Sequence, residues 1–334
     1  MPRNRHKSPE EKVLLNLKKH IKKGDTVICA VSGGADSVFF LNMLVEFGKK
    51  TPVKIIVMHV NHCLRGPDAE LDAKFVQNLA KNLDLKFEST KVDVEALAKA
   101  KKSSIEEIGR EIRYKFGLDL FKKYKATYFI TAHHADDNLE TVLLNFIRGG
   151  GLKGLSGMKM TETKKSGLKL LRPIINISKT EISEYIERNM MKFRTDLTNF
   201  DTDIPRNFLR HEIIPKLKEL NPNLQTTVLK NSSICREIQD YLMGEAEKWI
   251  NSINLSEKTE DLSTFDLKTM QSLPIPIKKE VLRLIYKQRT GDTKDITSAH
   301  IEEVLSLIDK NTGGKRKKFG KYTVEIRKGT FILK

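Results

Sequence analysis

Val31-Ser32-Gly33-Gly34-Ala35-Asp36-Ser37 is the stretch that decides the fold. The run before it, Thr26-Val27-Ile28-Cys29-Ala30-Val31, is short, apolar and partly β-branched, the pattern of a buried strand. The run after it, Val38-Phe39-Phe40-Leu41-Asn42-Met43-Leu44, reads as a helix packed on a sheet. Two adjacent glycines between strand and helix permit a sharp bend and bring backbone N–H groups close to a ligand. Those N–H groups and the helix dipole favour an anion, most simply a phosphate, and Ser32 and Ser37 add hydroxyl donors. Asp36 is out of place beside phosphate unless a cation such as Mg²⁺ lies between them. A lone S-G-G would serve equally well as a tight turn. S-G-G-x-D-S behind a strand is more specific, and no G-K-S or G-K-T occurs in the chain.

Moving outward, Val53 to Val60 forms a second strand that ends in Asn61-His62. Ligands of open α/β sheets gather at the carboxyl ends of the strands, which puts Met58 and His59 where an adenine ring would rest. A histidine there serves a structural role just as readily. Pro67 to Leu83 reads as a helix started by proline, and Leu85 to Val94 as a third strand. Overlapping S-x-x-E boxes in Ser103-Ser104-Ile105-Glu106-Glu107 start a long helix. On it Arg110 and Arg113 share a face, either solvated or as a phosphate clamp.

Thr127 to Ala132 is the next strand, and it runs into His133-His134-Ala135-Asp136-Asp137-Asn138-Leu139-Glu140-Thr141. The apolar run Val142 to Ile147 is helical in spacing, so the three carboxylates fall in its first turns, where the dipole favours them. That accounts for one or two carboxylates but not for the histidine pair. Asp137 and Glu140, three apart, are spaced to hold a cation jointly, either Mg²⁺ or the ammonium of an amine substrate. Arg148 to Gly154 matches G-x-G-x-x-G but follows a helix, so a dinucleotide site is rejected in favour of a mobile loop near the site. Ser178-Lys179-Thr180-Glu181 caps another helix. Arg206, Arg210 and His211, with Phe208 between them, form a basic helical patch suited to nucleic-acid backbone or a triphosphate.

The 334 residues suffice for two domains, and 60 Lys and Arg against 43 Asp and Glu leave a formal charge of +17. That excess favours a polyanionic partner, nucleic acid first. No segment approaches the roughly 18 consecutive apolar residues of a membrane span. No apolar h-region follows the basic N-terminus, so a secretory signal is not expected. Cys29, Cys63 and Cys235 are too few and too scattered for a disulfide framework or a zinc or iron–sulfur site, and a cytoplasmic location is expected.

Residues 1–24 hold eight Lys or Arg and two Glu; Val13, Leu14, Leu17 and Ile21 recur at helical spacing there. From about Asn221 the chain becomes helical, over Leu224 to Ile253, Pro274 to Arg289 and Thr297 to Asp309. Tyr322 to Ile326 and Phe331 to Leu333 flank Lys328-Gly329 as a hairpin. Residues 310–334 carry nine Lys or Arg and one Glu, a surface for RNA phosphates. The expected fold is therefore α/β: a Rossmann-like, doubly wound, mostly parallel sheet, then a smaller, mainly helical domain ending in a short β hairpin. The expected divisions are 1–24, a basic N-terminal helix or tail; 25–216, the catalytic domain; and 217–334, a basic helical domain for RNA.

The chain resembles the tRNA(Ile)-lysidine synthetases, a family of N-type ATP pyrophosphatases or PP-loop enzymes. The resemblance rests on Ser32 to Ser37, His59-x-Asn61-His62, Glu107-x-Gly109-Arg110-x-x-Arg113-Tyr114 and Thr131-Ala132-His133-His134. It continues through Asp137-x-x-Glu140-Thr141, Arg148-Gly149-x-Gly151-Leu152, Arg172-Pro173, Asp196-x-Thr198-Asn199 and Pro205-Arg206-Asn207-x-x-Arg210-His211. It implies that ATP adenylates the wobble cytidine of the CAU-anticodon isoleucine tRNA, and that free L-lysine then displaces AMP. It further implies ATP at Ser32, Gly33, Gly34, Ala35, Asp36, Ser37, Met58 and His59, with Mg²⁺ near Asp36. Asp36, Arg113, His133, Asp137 and Glu140 would be catalytic, Asp137 and Glu140 also holding lysine. Arg110, Arg113, Arg206, Arg210, Lys315, Arg316, Lys317 and Lys318 would contact tRNA. Oligomeric state is open, a homodimer included. Two rivals are a tRNA thiolase, which the lack of a C-x-x-C pair disfavours, and a non-catalytic RNA-binding protein, which the retained carboxylates disfavour.

Overall fold

Ser8 starts the first helix. Its hydroxyl accepts the Glu11 N–H at 3.2 Å while the Glu11 carboxylate accepts the Ser8 N–H at 3.1 Å, which stops both groups from being left unpaired. The computed structural model describes residues 7–64, 66–195, 203–257, 264–293, 295–310 and 314–334. The chain divides into two units, Met1–Ser232 and Ser233–Lys334. Among the described residues no helix is long and apolar enough to cross a membrane.

In the first unit α1 (Pro9–His20) leads to β1 (Thr26–Ala30), α2 (Ala35–Lys50), β2 (Lys54–Asn61), α3 (Pro67–Asn82) and β3 (Lys86–Lys91). Then come α4 (Val94–Lys101), α5 (Ile105–Lys123), β4 (Tyr128–Ile130), α6 (Ala135–Ile147), α7 (Gly151–Leu155), β5 (Thr161–Thr163), β6 (Lys169–Leu171) and α8 (Lys179–Arg188). A composite helix follows, made of α9 (Pro205–Phe208), a π turn (Leu209–Ile213) and α10 (Ile214–Leu220), and then α11 (Leu224–Glu257), which continues into the second unit.

The six strands lie in the order β3-β2-β1-β4-β6-β5, parallel except for β5 at the edge. Alternation along β1 builds both faces. Val27 and Cys29 pack with the buried residues of α1, α2 and α8, whereas Ile28 packs with Ile56, Phe129 and Leu120 under α5. This is the doubly wound sheet the sequence leads one to expect. Strand order reverses between β1 and β4, where such sheets open a crevice.

Three details differ from the sequence expectation. The third strand stops at Lys91, because Asp93 accepts the Ala96 N–H at 2.9 Å and starts α4, an unforeseen helix. The short pair β5 and β6 extends the sheet beyond β4. The glycine-rich stretch after α6 forms the helical turn α7, with Asn145 Nδ2 donating to Gly154 O at 3.0 Å, rather than an open loop. A Cβ on Gly154 would lie 3.1 Å from the Asn145 Cβ, so the glycine serves close packing there.

In the second unit β7 (Thr264–Asp266), α12 (Leu267–Gln271), α13 (Ile275–Thr290), α14 (Ser298–Lys310), β8 (Arg316–Phe319), β9 (Tyr322–Arg327) and β10 (Thr330–Leu333) follow in turn. The expected hairpin is β9–β10, turned by Lys328 (φ 48°) and Gly329 (φ 77°), the paired positive φ of a two-residue turn. It lies at the centre of a four-stranded antiparallel sheet ordered β7-β10-β9-β8. Val324, Ile326, Phe331 and Leu333 point from it into a core shared with Leu282, Ile285, Val304 and Ile308.

Candidate active site

The turn between β1 and α2 is held by its own side chains. Gly33 has φ +96°, and a Cβ on it would meet Val76 Cγ2 at 3.3 Å, so backbone and packing both call for glycine. Ser37 Oγ accepts the Gly33 N–H at 3.1 Å and donates to Gly34 O at 2.9 Å; Ser32 Oγ accepts the Gly34 N–H at 3.3 Å. The serines therefore brace the loop at the N-terminus of α2, the dipole end that attracts anions.

Beside the loop lies a cavity of about 330 Å³, lined by Ser32, Asp36, Ser37, Met58, His59, His62, Asp72, Arg113 and His133 among others. It unites the residues picked from β1, β2, α5 and the end of β4. His59 Nδ1 lies 2.9 Å from Val31 O; a carbonyl only accepts, so Nδ1 carries the proton. Burial pushes the imidazoles below their ordinary range: His59 downward, His62 to about 4 with help from Arg113, and His133 to about 3, Asp137 opposing and Arg172, Arg113 and Arg110 assisting. His133 Nδ1 lies 2.8 Å from Thr131 Oγ1. Arg113 makes no hydrogen bond or ion pair among the described residues, and burial opposes its charge. A cation with unused donors therefore faces a cavity walled by neutral imidazoles.

Stability should record these imidazoles. Their folded-state values lie below the unfolded value of about 6.5, so the unfolded chain binds more protons as pH falls through 6.5. Urea unfolding between pH 6.5 and 5.5 should show stability falling with decreasing pH, each of the three adding at most about 1.4 kcal/mol per pH unit. This window lies above the range where the depressed glutamates begin to lose their contributions, and the more exposed His20, also lowered, acts in the same direction. His134 has the opposite shift; its contribution is complete below 6.5 and adds no slope there. Asp136 and Asp137 are depressed and lose their contributions only below about pH 4, outside this window. A flat profile would mean that the three imidazoles titrate freely in the folded chain.

A second cluster surrounds the start of α6. His134 caps this helix: its Nδ1 accepts the Asp136 N–H at 3.2 Å, which leaves the proton on Nε2, 3.5 Å from Asp137 Oδ2 and 3.7 Å from Asp36 Oδ2. Burial opposes the His134 charge, but Asp137, Asp136 and Asp36 together raise its value. Asp136 accepts the Lys179 N–H at 2.7 Å; burial opposes its ionisation, but His134 and this bond hold it well below the usual carboxylate range. Asp137 is likewise held low by His134 and Arg206 against burial. Asp36 Oδ1 lies 2.6 Å from Lys179 Nζ.

Glu140, 1% exposed, is enclosed by two arginines. Arg206 Nε donates to Oε2 and Arg210 Nε to Oε1, both at 2.6 Å, while Arg210 Nη2 donates to Oε2 at 3.0 Å. Arg206 Nη2 also reaches Asp137 Oδ1 at 3.2 Å. The joint cation seat expected of Asp137 and Glu140 thus holds two guanidinium groups, drawn from a basic patch expected to meet nucleic-acid backbone or a triphosphate.

Arg110 is exposed and lies over the Tyr114 ring at 5.0 Å. In the second unit Lys315, Arg316, Lys317 and Lys318 are all exposed, and β-strand alternation divides the last three. Arg316 stands opposite Glu325 and pairs with it at 3.3 Å, Lys318 stands opposite Thr323, and Lys317 pairs with Glu303 at 3.2 Å. Asp196-x-Thr198-Asn199 lies outside the described residues. Cys29 is buried, its thiol pushed up to about 12. Sequence reasoning missed His134 and Lys179 as members of the site. Lys179 carried a readable signal: a lysine in the first turn of a helix opposes the dipole.

Among the described residues no group of three or more His, Cys, Asp or Glu side chains is placed to hold a metal ion. Mg²⁺ needs fewer, since it is commonly bound through one or two carboxylates plus substrate phosphates and water. Asp36, at the phosphate-facing turn, supplies such a carboxylate.

A parallel sheet carrying a braced glycine turn and a helix N-terminus at its switch point defines a phosphate-binding α/β domain. The chain belongs to the PP-loop family, whose domain model ATP_bind_3 matches residues 7–217. It is 35% identical over 308 residues to the tRNA(Ile)-lysidine synthase of Caldanaerobacter subterraneus subsp. tengcongensis, covering 91% of this chain and 64% of that one. It is 33% identical over 294 residues to the enzyme of the same name from Clostridium tetani, covering 88% and 62%. The chain thus spans less than two thirds of the length of these relatives. A solved structure, the U34-tRNA thiolase NcsA of Methanococcus maripaludis with its [4Fe-4S] cluster, shares the fold, with TM-score 0.56 and 19% identity over 69% of this chain and 78% of that one.

Proposed function

We propose that this chain ligates L-lysine to the wobble cytidine of the CAU-anticodon tRNA(Ile), consuming ATP and releasing diphosphate and AMP. The observation that carries the reading is the Arg113 guanidinium in the cavity beside the braced PP-loop, unpaired among the described residues. It supplies unused phosphate donors next to a helix N-terminus, in a chain similar to named lysidine synthases. The loop of Ser32, Gly33, Gly34, Ala35 and Ser37 cradles the leaving diphosphate, Met58 and His59 flank the adenine, and Arg113 neutralises phosphate. Asp36 would hold Mg²⁺, which when bound spreads the charge of the triphosphate.

The carbonyl oxygen on the cytosine ring attacks the α-phosphorus and diphosphate departs. The lysine amine then attacks the activated ring carbon, AMP leaves with the oxygen, and the amine loses a proton. Asp137, kept ionised by its neighbours, holds the amine and takes that proton, while Glu140 fixes Arg206 and Arg210 around it. His133, neutral and half-buried at the cavity wall, orients the reacting base. Arg110 and the exposed Lys315, Arg316 and Lys318 meet tRNA phosphates, with residues 217–334 as the tRNA-binding part and the cytoplasm as the location.

Incubation with ATP, radiolabelled lysine and an unmodified CAU-anticodon transcript should place lysine in the RNA. Asp36→Ala should lower incorporation by about 100-fold or more with an unchanged melting temperature. Diphosphate release that requires a sulfur donor, with no lysine incorporated, would replace this reading with thiolation.

A further inference from the structure

The glycine turn is clasped from outside by a residue far away in the chain. Arg194, beyond the end of α8, donates its backbone N–H to Gly33 O at 2.9 Å. The Gly33–Gly34 peptide is therefore held at both ends, since its N–H meets Ser32 Oγ. The Arg194 side chain then crosses to α3, where Nε donates to Asp72 Oδ1 at 2.7 Å and Nη2 lies 3.7 Å from Asp68 Oδ1. Asp68 and Asp72, four apart, share one face of that helix. Asp68 is exposed and suits the first turn of α3, where the dipole favours a carboxylate. Asp72 lies deeper, is 5% exposed, and lines the cavity beside the glycine turn. A carboxylate in the wall of a triphosphate cavity repels the ligand, and low dielectric strengthens the repulsion. Arg194 does not itself line the cavity; it reaches Asp72 from behind and supplies the opposite charge.

We propose that Arg194 is a positioning residue for nucleotide binding: its guanidinium cancels the Asp72 charge in the cavity wall while its backbone fixes the glycine turn. Because it stands outside the cavity, its effect falls on ATP affinity and not on the chemical step. Losing the side chain leaves Asp72 uncompensated toward the phosphates, whereas losing both charges together restores a neutral wall. The inference rests on the ATP-binding reading of the glycine turn.

The test is titration calorimetry of the full chain with α,β-methylene-ATP and Mg²⁺, using wild type, Arg194→Met, Asp72→Asn and the double variant. Arg194→Met should weaken binding by about 10- to 100-fold, the scale of one unscreened charge near the phosphates. Asp72→Asn should bind more tightly than wild type, and the double variant should return to within about threefold of it. Arg194→Lys, which keeps the charge, should recover most of the loss. In steady state Arg194→Met should raise KM for ATP and leave kcat unchanged. If Arg194 only braces the fold, Asp72→Asn will weaken binding too, and the double variant will be no better than Arg194→Met. Either result overturns the assignment, and Asp72→Asn decides it even if the methionine variant fails to fold. Wild type that does not bind the analogue would overturn the nucleotide reading itself, a separate outcome.

Discussion

Glu140→Ala is expected to cost about 3–5 kcal/mol of stability, because removing one partner of a buried ion pair leaves uncompensated charge behind. Glu140 is 1% exposed and accepts three hydrogen bonds from Arg206 and Arg210. Without it two guanidinium groups share only Asp137 among the described residues, which Arg206 reaches at 3.2 Å and Arg210 at 3.7 Å. The loss should reach the packing below, where Leu139 of α6 meets Leu209 and Ile214 of the composite helix. Urea unfolding at pH 7 measures it. Glu140→Gln keeps shape but not charge, and should fall between wild type and alanine. Alanine within about 0.5 kcal/mol of wild type would show that water reaches the arginines freely.

Arg113→Met should have the opposite signature. Arg113 lines the cavity with no hydrogen bond or ion pair among the described residues, so its charge is held at a cost. A methionine of similar length removes that cost, and the melting temperature should hold or rise. Diphosphate release from ATP should fall by about 100- to 1,000-fold, the usual scale for removing a preorganised charge from a transition state. The pair of variants separates architecture from chemistry: one loses stability first, the other loses only rate. Arg113→Met with full activity would remove this residue from the site.

The sheet was legible where strands were apolar and long enough to show their pattern, as in β1 and β2. Strands β5 and β6 escaped because each has three residues, too few for alternation to register, whereas β4, equally short, sits in the longer apolar run Thr127 to Ala132. Site members were legible as chemically dense strand ends. Their partnerships were not, because they join distant residues: Glu140 with Arg206 and Arg210 at separations of 66 and 70, and Asp36 with Lys179 at 143. Periodicity reports which face a residue occupies, not which residue stands opposite. Lys179 was the exception, since it broke a local rule at a helix start, and such breaches tend to mark functional positions.

The basic strand of the second unit lies at the edge of its sheet. In the order β7-β10-β9-β8 the two outer strands each pair with one neighbour among the described residues, and such edges invite edge-to-edge aggregation. One edge, β7, is only three residues long, and the other, β8, carries Arg316, Lys317 and Lys318 side by side. Two identical β8 edges meeting would set these cations against one another. Neutralising the three together should therefore make this edge more prone to pair with another strand, a change that light scattering of the triple variant would register.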